Sequence, residues 1–354
     1  MQTLDTVIIR GNNNFGLVRL ITASLVIFNH SSALFPKGYH MPETGYLRLW
    51  VFFFLSGLFI TSSYGNSKTQ VSFIIMRMSR LWPALIVCTL LTVFVMGPLV
   101  TSLSLNEYFT SEVTWKYLVS NSIIFNIKYY LPGVFTTNYF KDVVNNPLWT
   151  IPMELKCYGI VFGLGFLGLF KSKVTMLTGY MVMIIYLFNT KMNFWEITSG
   201  SITLYMLFFA GSICYFFRKY IYIDYRIALC LIFLLTLTHF ATIHQIVSML
   251  ILQFALIYTT LVLGASRIFK KVKLPGDYSY GVYIYGFIVQ QTIAHYLPDI
   301  SPLVSIVYTM PVVIILGGLS WHLIENPALK FGKKLARMNG DERSRWRKSL
   351  LSRS

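Results

Sequence analysis

Charged residues are scarce in this sequence, and acidic residues are the scarcest. Only 12% of the 354 residues are charged, with 13 Asp and Glu against 30 Lys and Arg, whereas 55% are hydrophobic. A soluble globular domain usually has about 25% charged residues, so the composition excludes that class. The net charge of +17 would indicate nucleic-acid binding only as a basic face on a soluble domain. The sequence therefore predicts a polytopic membrane protein with no nucleic-acid partner.

Metal-binding motifs and a signal-peptide pattern are also lacking. The 4 cysteines fall in or beside apolar runs without metal-like spacing, so they are predicted to be buried packing residues. The first 16 residues have no basic start, short apolar core and cleavage site of a signal peptide. We therefore expect no metal site, and we expect the first apolar run to remain in the mature protein.

Long apolar runs dominate the sequence, and most approach the roughly 20 residues that cross a bilayer as a helix. The predicted spans are residues 17–35, 47–63, 81–101, 148–170, 174–190, 197–217, 227–243, 246–265, 279–297 and 303–325. With the N-terminus inside, most Lys and Arg residues lie on the cytoplasmic side, as the positive-inside rule requires. The predicted fold is an all-α polytopic membrane helical bundle with about ten transmembrane helices and both termini cytoplasmic.

The spans predict one transmembrane domain, residues 1–327, and a basic cytoplasmic tail, residues 328–354. The tail is most simply a solvated anchor that touches anionic lipid. An external segment, residues 101–147, is too long for a simple connection. It is predicted either to lie in the membrane interface or to re-enter the membrane as a lid over an acceptor site.

Two ionisable side chains fall inside predicted spans at a similar depth. By the rise of a helix, His30 lies roughly 8 Å and Glu154 roughly 9 Å below the outer surface. A buried carboxylate next to a buried imidazole fixes its tautomer and stabilises its charged form, which suits a general base. The alternative is two unrelated polar residues that backbone groups or water satisfy.

An arginine pair, Arg77 and Arg80, lies at the cytoplasmic edge of the third predicted span. At positions i and i+3 both guanidinium groups share one helix face, which suits forked hydrogen bonds to phosphates. On spacing alone, ordinary membrane-flanking charge is the better interpretation.

Six short blocks occur in a characteristic order along most of the chain. They are the Arg19 to His30 spacing, Phe52-Phe53-Phe54-Leu55-Ser56-Gly57, Arg77-x-x-Arg80, Leu148-Trp149-Thr150-Ile151-Pro152-Met153-Glu154 with Tyr158, Ser279-Tyr280-Gly281-Val282-Tyr283-Ile284 and Ile324-Glu325-Asn326-Pro327. Together the blocks resemble the acyltransferase 3 family in its stand-alone form. These are integral-membrane O-acyltransferases, mostly bacterial, that commonly move acetyl from acetyl-CoA onto sugar hydroxyls of cell-surface glycans.

The sequence departs from the pattern of many relatives at two places. Tyr285 and Gly286 stand where many relatives have a Trp-His pair, so no role of that histidine carries over. Leu155 follows Glu154 where many relatives have a second acid, which leaves Glu154 as the available carboxylate at that position.

The resemblance implies an acetyltransferase of the bacterial inner membrane that acts on O-antigen, lipopolysaccharide, capsule, exopolysaccharide or a lipid-linked saccharide. Acetyl-CoA would be the donor, with succinyl as a variation, and no cofactor would be permanently bound. Arg77, Arg80 and Arg19 would hold the CoA phosphates at the inner mouth. His30 would either activate the sugar hydroxyl or carry the acetyl group itself, and Glu154 would orient it. A homo-oligomer is compatible with these features.

The alternative function is a polytopic transporter of a glycan or lipid precursor. The near absence of intramembrane acids and of paired interrupted spans argues against it. Three smaller motifs are predicted to be structural. Glu325 would pair with His322 or with a cytoplasmic base, Ser56 and Gly57 would permit close helix contact, and the segment 275–277 would form a turn.

Overall fold

The computed structural model describes residues 2–9, 13–37, 45–124, 126–170, 172–190, 193–240, 244–266, 272 and 274–351. It is 78% helical. Its two short strands, β1 (Gln2–Thr3) and β2 (Tyr222–Ile223), pair antiparallel. In chain order the α-helices are α1 (Leu4–Ile9), α2 (Phe15–Leu34), α3 (Leu47–Asn66), α4 (Gln70–Leu91), α5 (Gly97–Val100), α6 (Leu105–Thr110), α7 (Glu112–Ile123), α8 (Thr150–Phe166), α9 (Lys173–Phe188), α10 (Phe194–Ser199), α11 (Ser201–Phe216), α12 (Tyr225–Phe240), α13 (Gln245–Ala265), α14 (Ser279–Tyr296), α15 (Pro302–Ser320) and α16 (Asn326–Leu351).

Every predicted span falls on a helix, although the last residues of 227–243 lie outside the described part of the chain. Five helical stretches among the described residues are long and apolar enough to cross a membrane: Phe15–Leu34, Leu47–Asn66, Gln70–Val100, Gln245–Ala265 and Pro302–Met338. Helices α9 and α11 and most of α12 are apolar but shorter. The chain is therefore a helical membrane protein, while the count of ten spans and the orientation of the termini stay predictions.

The helices form two compact units, of which the first comprises Met1–Thr22, Thr44–Asn66 and Lys156–Pro275. Its best-packed pair is α3 with α11, where glycines bring the two backbones together. A Cβ atom added to Gly57 would lie 1.9 Å from the carbonyl oxygen of Phe208, and one added to Gly211 would lie 2.1 Å from that of Phe54. The predicted role of Gly57 in close helix contact is thereby confirmed, because only a residue without a side chain fits there.

The Gly57→Ala variant is therefore expected to lower the thermal unfolding temperature of the detergent-solubilised protein. The added methyl group must push α3 and α11 apart, and overpacking of this kind costs about 1–3 kcal/mol. Gly163→Ala on α8 is the matched control, because no other atom lies within 4 Å of a Cβ built there. An unfolding temperature of Gly57→Ala equal to that of the control would contradict the close packing.

The second unit comprises Ala23–Glu43, Ser67–Leu155 and Gly276–Ser354. Its α14 and α15 approach closely at two glycines, since a Cβ atom on Gly281 would lie 2.7 Å from the Cα atom of Gly317. A π-helical turn, Trp321–Glu325, joins α15 to α16. Helix α14 is buried along almost its whole length and therefore forms the centre of this unit.

Helix α4 extends further than the sequence predicted. The hydrophobic run suggested a start at residue 81, but the helix begins at Gln70 and is capped by the side chain of Thr69. The additional turns pack on α16, where the Ser72 hydroxyl donates to the carbonyl oxygen of Ala336 at 2.8 Å. Arg77 and Arg80 are consequently interior residues of a helix and do not mark its end.

The predicted external segment doubles back along α4. The Tyr108 hydroxyl donates to the carbonyl oxygen of Val93 at 3.1 Å, and at the far end of α7 the carbonyl oxygen of Ser122 accepts from Trp82 Nε1 at 2.8 Å. Val93 lies in the π-helical turn Thr92–Met96 that continues α4, about 16 Å from Trp82 at 1.5 Å per residue. Helices α6 and α7 therefore pack beside this stretch, while the position of residues 101–147, in the membrane interface or as a re-entrant lid, stays a prediction. These residues are called the 101–147 segment below.

Candidate active site

His30 lies in the last turns of α2, in the second unit, and one ring nitrogen has a backbone partner. Its Nδ1 atom is 2.7 Å from the carbonyl oxygen of Val26. A carbonyl oxygen only accepts, so Nδ1 must carry the proton in this contact. In the neutral ring, Nε2 is then the unprotonated and basic nitrogen. The half-buried imidazole is therefore held in the tautomer that a general base or a nucleophile requires.

An aromatic side chain packs on one side of His30. The ring of Phe287 on α14 meets the imidazole edge-on, with centroids 5.1 Å apart. The ring centroid of Phe287 also lies 6.0 Å from that of Phe140 in the 101–147 segment, and Phe287 belongs to a buried cluster with Leu34 and Phe35. These contacts orient the imidazole and keep water away from this side of it.

Amide side chains that the sequence analysis did not select lie in the same region. Gln290 donates to the carbonyl oxygen of Ile27 at 2.9 Å. Gln291 accepts from Asn138 Nδ2 at 2.6 Å, and Asn145 Nδ2 donates to the carbonyl oxygen of Ile284 at 2.9 Å. The sequence does contain one indication of these buried amides, the Gln290–Gln291 pair, because two adjacent polar residues stand in the middle of an apolar run.

Glu154 lies half-buried in the second turn of α8. One turn earlier, Thr150 Oγ1 is 2.5 Å from the hydroxyl of Tyr283, which in turn donates to the carbonyl oxygen of Pro147. Tyr283 precedes Phe287 by one turn of α14, so the start of α8 and the imidazole of His30 meet neighbouring turns of the same helix. A direct His30–Glu154 contact stays a prediction.

Arg80 lies in an ionic cluster. One of its amino groups is 2.5 Å from a carboxylate oxygen of Asp277 and the other is 3.4 Å from one of Glu325. The guanidinium also stands 5.5 Å from the ring centroid of Trp321. The Glu325 side chain is 0% exposed and accepts from the Ser320 hydroxyl as well. Arg80 therefore stabilises the fold, whatever it contributes to donor binding.

This cluster resolves two predictions about nearby residues. Of the two partners considered for Glu325, the structure shows the basic one, Arg80, while His322 Nε2 lies 3.0 Å from the Tyr278 hydroxyl. The segment 275–277 does bend, but its Asp277 is also a partner of Arg80. Arg77 shares the helix with Arg80 and is half-buried.

Arg19 lies on the part of α2 that belongs to the first unit. Its role in donor binding stays a prediction. Among the described residues, no group of three His, Cys, Asp or Glu side chains is placed to hold a metal ion.

Comparison with known proteins decides the family. The sequence profile of acyltransferase 3, described as "Acyltransferase domain", matches residues 12–321. The chain belongs to the acyltransferase 3 family. It is 28% identical over 325 residues to a protein of Shigella phage Sf6 named "O-acetyl transferase", covering 89% of this chain and 95% of the relative.

A second relative of this acyltransferase is "Nodulation protein 10" of Rhizobium leguminosarum bv. viciae. It is 26% identical over 365 residues, covering 91% of this chain and 95% of the relative. No solved structure matches the chain. The family and the phage relative make the chain an O-acyltransferase enzyme of the membrane.

Proposed function

We propose that this protein is a membrane O-acetyltransferase that moves acetyl from cytoplasmic acetyl-CoA to a hydroxyl group of a cell-surface sugar. The observation that carries the proposal is the tautomer of His30, because the bond from Nδ1 to Val26 makes Nε2 the basic nitrogen. The name of the phage relative, "O-acetyl transferase", supports acetyl as the acyl group.

In the direct route, Nε2 of His30 removes the proton from the sugar hydroxyl while that oxygen attacks the thioester carbonyl. The C–S bond then breaks and the proton passes to the CoA thiolate. In the covalent route, Nε2 attacks the thioester first, CoA leaves, and the sugar oxygen takes the acetyl from the imidazole. Both routes need the same unprotonated nitrogen, and Glu154 stabilises the positive imidazole in either one.

The donor would be held through its phosphates by Arg77 and Arg80, with Arg19 as a further contact. Guanidinium groups bind phosphate through paired hydrogen bonds, and an i, i+3 pair offers two of them on one helix face. Arg80 already holds two carboxylates, so phosphate binding by Arg80 would be added to a structural role. The membrane would be the bacterial cytoplasmic membrane, with the acceptor drawn from surface glycans or their lipid-linked precursors.

The proposal is tested by transfer of labelled acetyl from acetyl-CoA to a surface-glycan extract by the purified protein in proteoliposomes. If mild base releases the label from the glycan as acetate, the product is an O-acetyl ester. Consumption of succinyl-CoA instead would identify another acyl donor. If no acyl-CoA is consumed while labelled saccharide still crosses the membrane, the transporter alternative holds and the proposal is wrong.

A further inference from the structure

Three buried amide side chains on or against α14 have an oxygen atom that lacks a hydrogen-bond donor. They belong to Gln290, Asn138 and Asn145, whose side chains are between 0% and 2% exposed. Within the described part of the chain, no donor reaches Gln290 Oε1, Asn138 Oδ1 or Asn145 Oδ1. Buried acceptors are nearly always satisfied in folded proteins, because leaving one unpaired costs stability. Three of them in one region indicate a site that a ligand completes.

The orientation of each amide is determined by its neighbours. The nitrogen of Gln290 points at the carbonyl oxygen of Ile27, that of Asn145 at Ile284, and that of Asn138 at Gln291. A carbonyl oxygen can only accept a hydrogen bond. Rotating any of these amides by half a turn would therefore place its own oxygen against that carbonyl oxygen. The three oxygens therefore lack donors in the only amide orientation that satisfies the three nitrogens.

Gln290 is the amide closest to the proposed chemistry. Its nitrogen bonds the carbonyl oxygen of Ile27, while Nδ1 of His30 bonds that of Val26, the preceding residue. The imidazole and the glutamine thus bind two consecutive carbonyl groups of one helix. Asn138 and Asn145 come from the 101–147 segment and contact α14 on either side of Phe287 along the chain.

We propose that the amide oxygens of Gln290, Asn138 and Asn145 form an acceptor subsite for neighbouring hydroxyl groups of the sugar that His30 acylates. This inference rests on the proposed function and specifies its substrate as a polyol. Uncharged carbonyl oxygens match uncharged hydroxyl donors, and the rings of Phe140 and Phe287 supply an apolar surface beside them. The oxygens are enclosed in this structure, so the subsite requires the 101–147 segment to shift away from α14 when the acceptor binds.

Gln291 provides a matched control within the same helix. Like Gln290 it is 0% exposed. Its oxygen accepts from Asn138, and its nitrogen donates to the carbonyl oxygens of Phe140 and Val143 at 2.8 and 2.7 Å. Because both of its polar atoms have partners inside the protein, Gln291 holds the segment in place and has no need of a ligand.

The test compares Gln290→Met with Gln291→Met in the full-length protein in proteoliposomes. Transfer from acetyl-CoA is measured to a panel of methyl glycosides and to a surface-glycan extract. We expect Gln290→Met to raise KM for the best acceptor about tenfold and to leave KM for acetyl-CoA unchanged, since one hydrogen bond to the acceptor is lost. Gln291→Met should lower the unfolding temperature without this selective change.

Deoxy acceptors separate recognition from a structural effect. On the analogue that lacks the recognised hydroxyl, Gln290→Met and the wild-type protein should have equal KM values, because the lost bond is absent from both. If wild type and Gln290→Met had equal KM values for every acceptor, the subsite would be wrong and the proposed function would stand. A wild-type protein that consumes no acetyl-CoA with any acceptor would overturn the proposed function, and the subsite with it.

Discussion

Replacing His30 with asparagine is expected to abolish acyl transfer while the fold and the affinity for acetyl-CoA remain. The asparagine amide places its nitrogen where Nδ1 stands and retains a donor for the carbonyl oxygen of Val26. It supplies no basic atom in place of Nε2. Loss of a general base costs about 10²–10⁴ in kcat, and loss of a covalent carrier costs at least as much. Initial rates of label transfer measure kcat, and equilibrium binding of labelled acetyl-CoA measures affinity.

The same substitution at His244 is the control. That imidazole accepts from the backbone N–H of Ile246 at the start of α13, and asparagine is itself a good capping residue. His244→Asn should therefore keep full activity. If His30→Asn transferred acetyl at the wild-type rate, the chemistry would lie elsewhere. If His30→Asn lost its affinity for acetyl-CoA together with its activity, His30 would be a structural residue.

The sequence predicted the helix that carries His30 well because its signal is local, while the catalytic role of His30 stays a prediction. An imidazole inside an apolar helix is conspicuous, and the predicted span 17–35 differs little from the observed Phe15–Leu34. Gly57 was predictable for a similar reason, since a small residue in a bulky apolar run indicates close approach of a second helix. Its partner Phe208 was not, because the contact depends on how two distant segments pack.

The features that could not be predicted from the sequence depend on polar contacts between distant parts of the chain. The first turns of α4 carry too many polar side chains to register as a span, and they are helical because α16 covers them. The partnership of Arg80 with Asp277 joins residues far apart in the chain. The amides of the 101–147 segment lie in irregular backbone without periodicity, so only the folded chain shows that they bind along α14.

Removing the positive charge of Arg80 is expected to destabilise the protein strongly. Arg80→Met takes the cation away from Asp277 and from Glu325, whose side chain is 0% exposed. Breaking a buried ion pair by removing one partner costs about 3–5 kcal/mol. Thermal unfolding in detergent measures the loss of stability.

Lys116→Met is the control, because its ion pair with Glu112 is exposed and such pairs contribute about 0–1 kcal/mol. Equal stability of the two variants would contradict a structural role for the cluster.

The double variant Arg80→Met with Glu325→Gln separates that structural role from donor binding. Neutralising Glu325 removes the buried charge that the single variant leaves behind, so part of the lost stability should return. The Asp277 side chain is 23% exposed, so water can solvate its carboxylate in part. Loss of the arginine therefore costs less stability at Asp277 than at the buried Glu325. If Arg80 also grips donor phosphates, the stabilised double variant still binds acetyl-CoA weakly, because methionine offers no donor. A double variant that recovered both stability and wild-type affinity would limit Arg80 to the fold and leave Arg77 as the phosphate contact on α4.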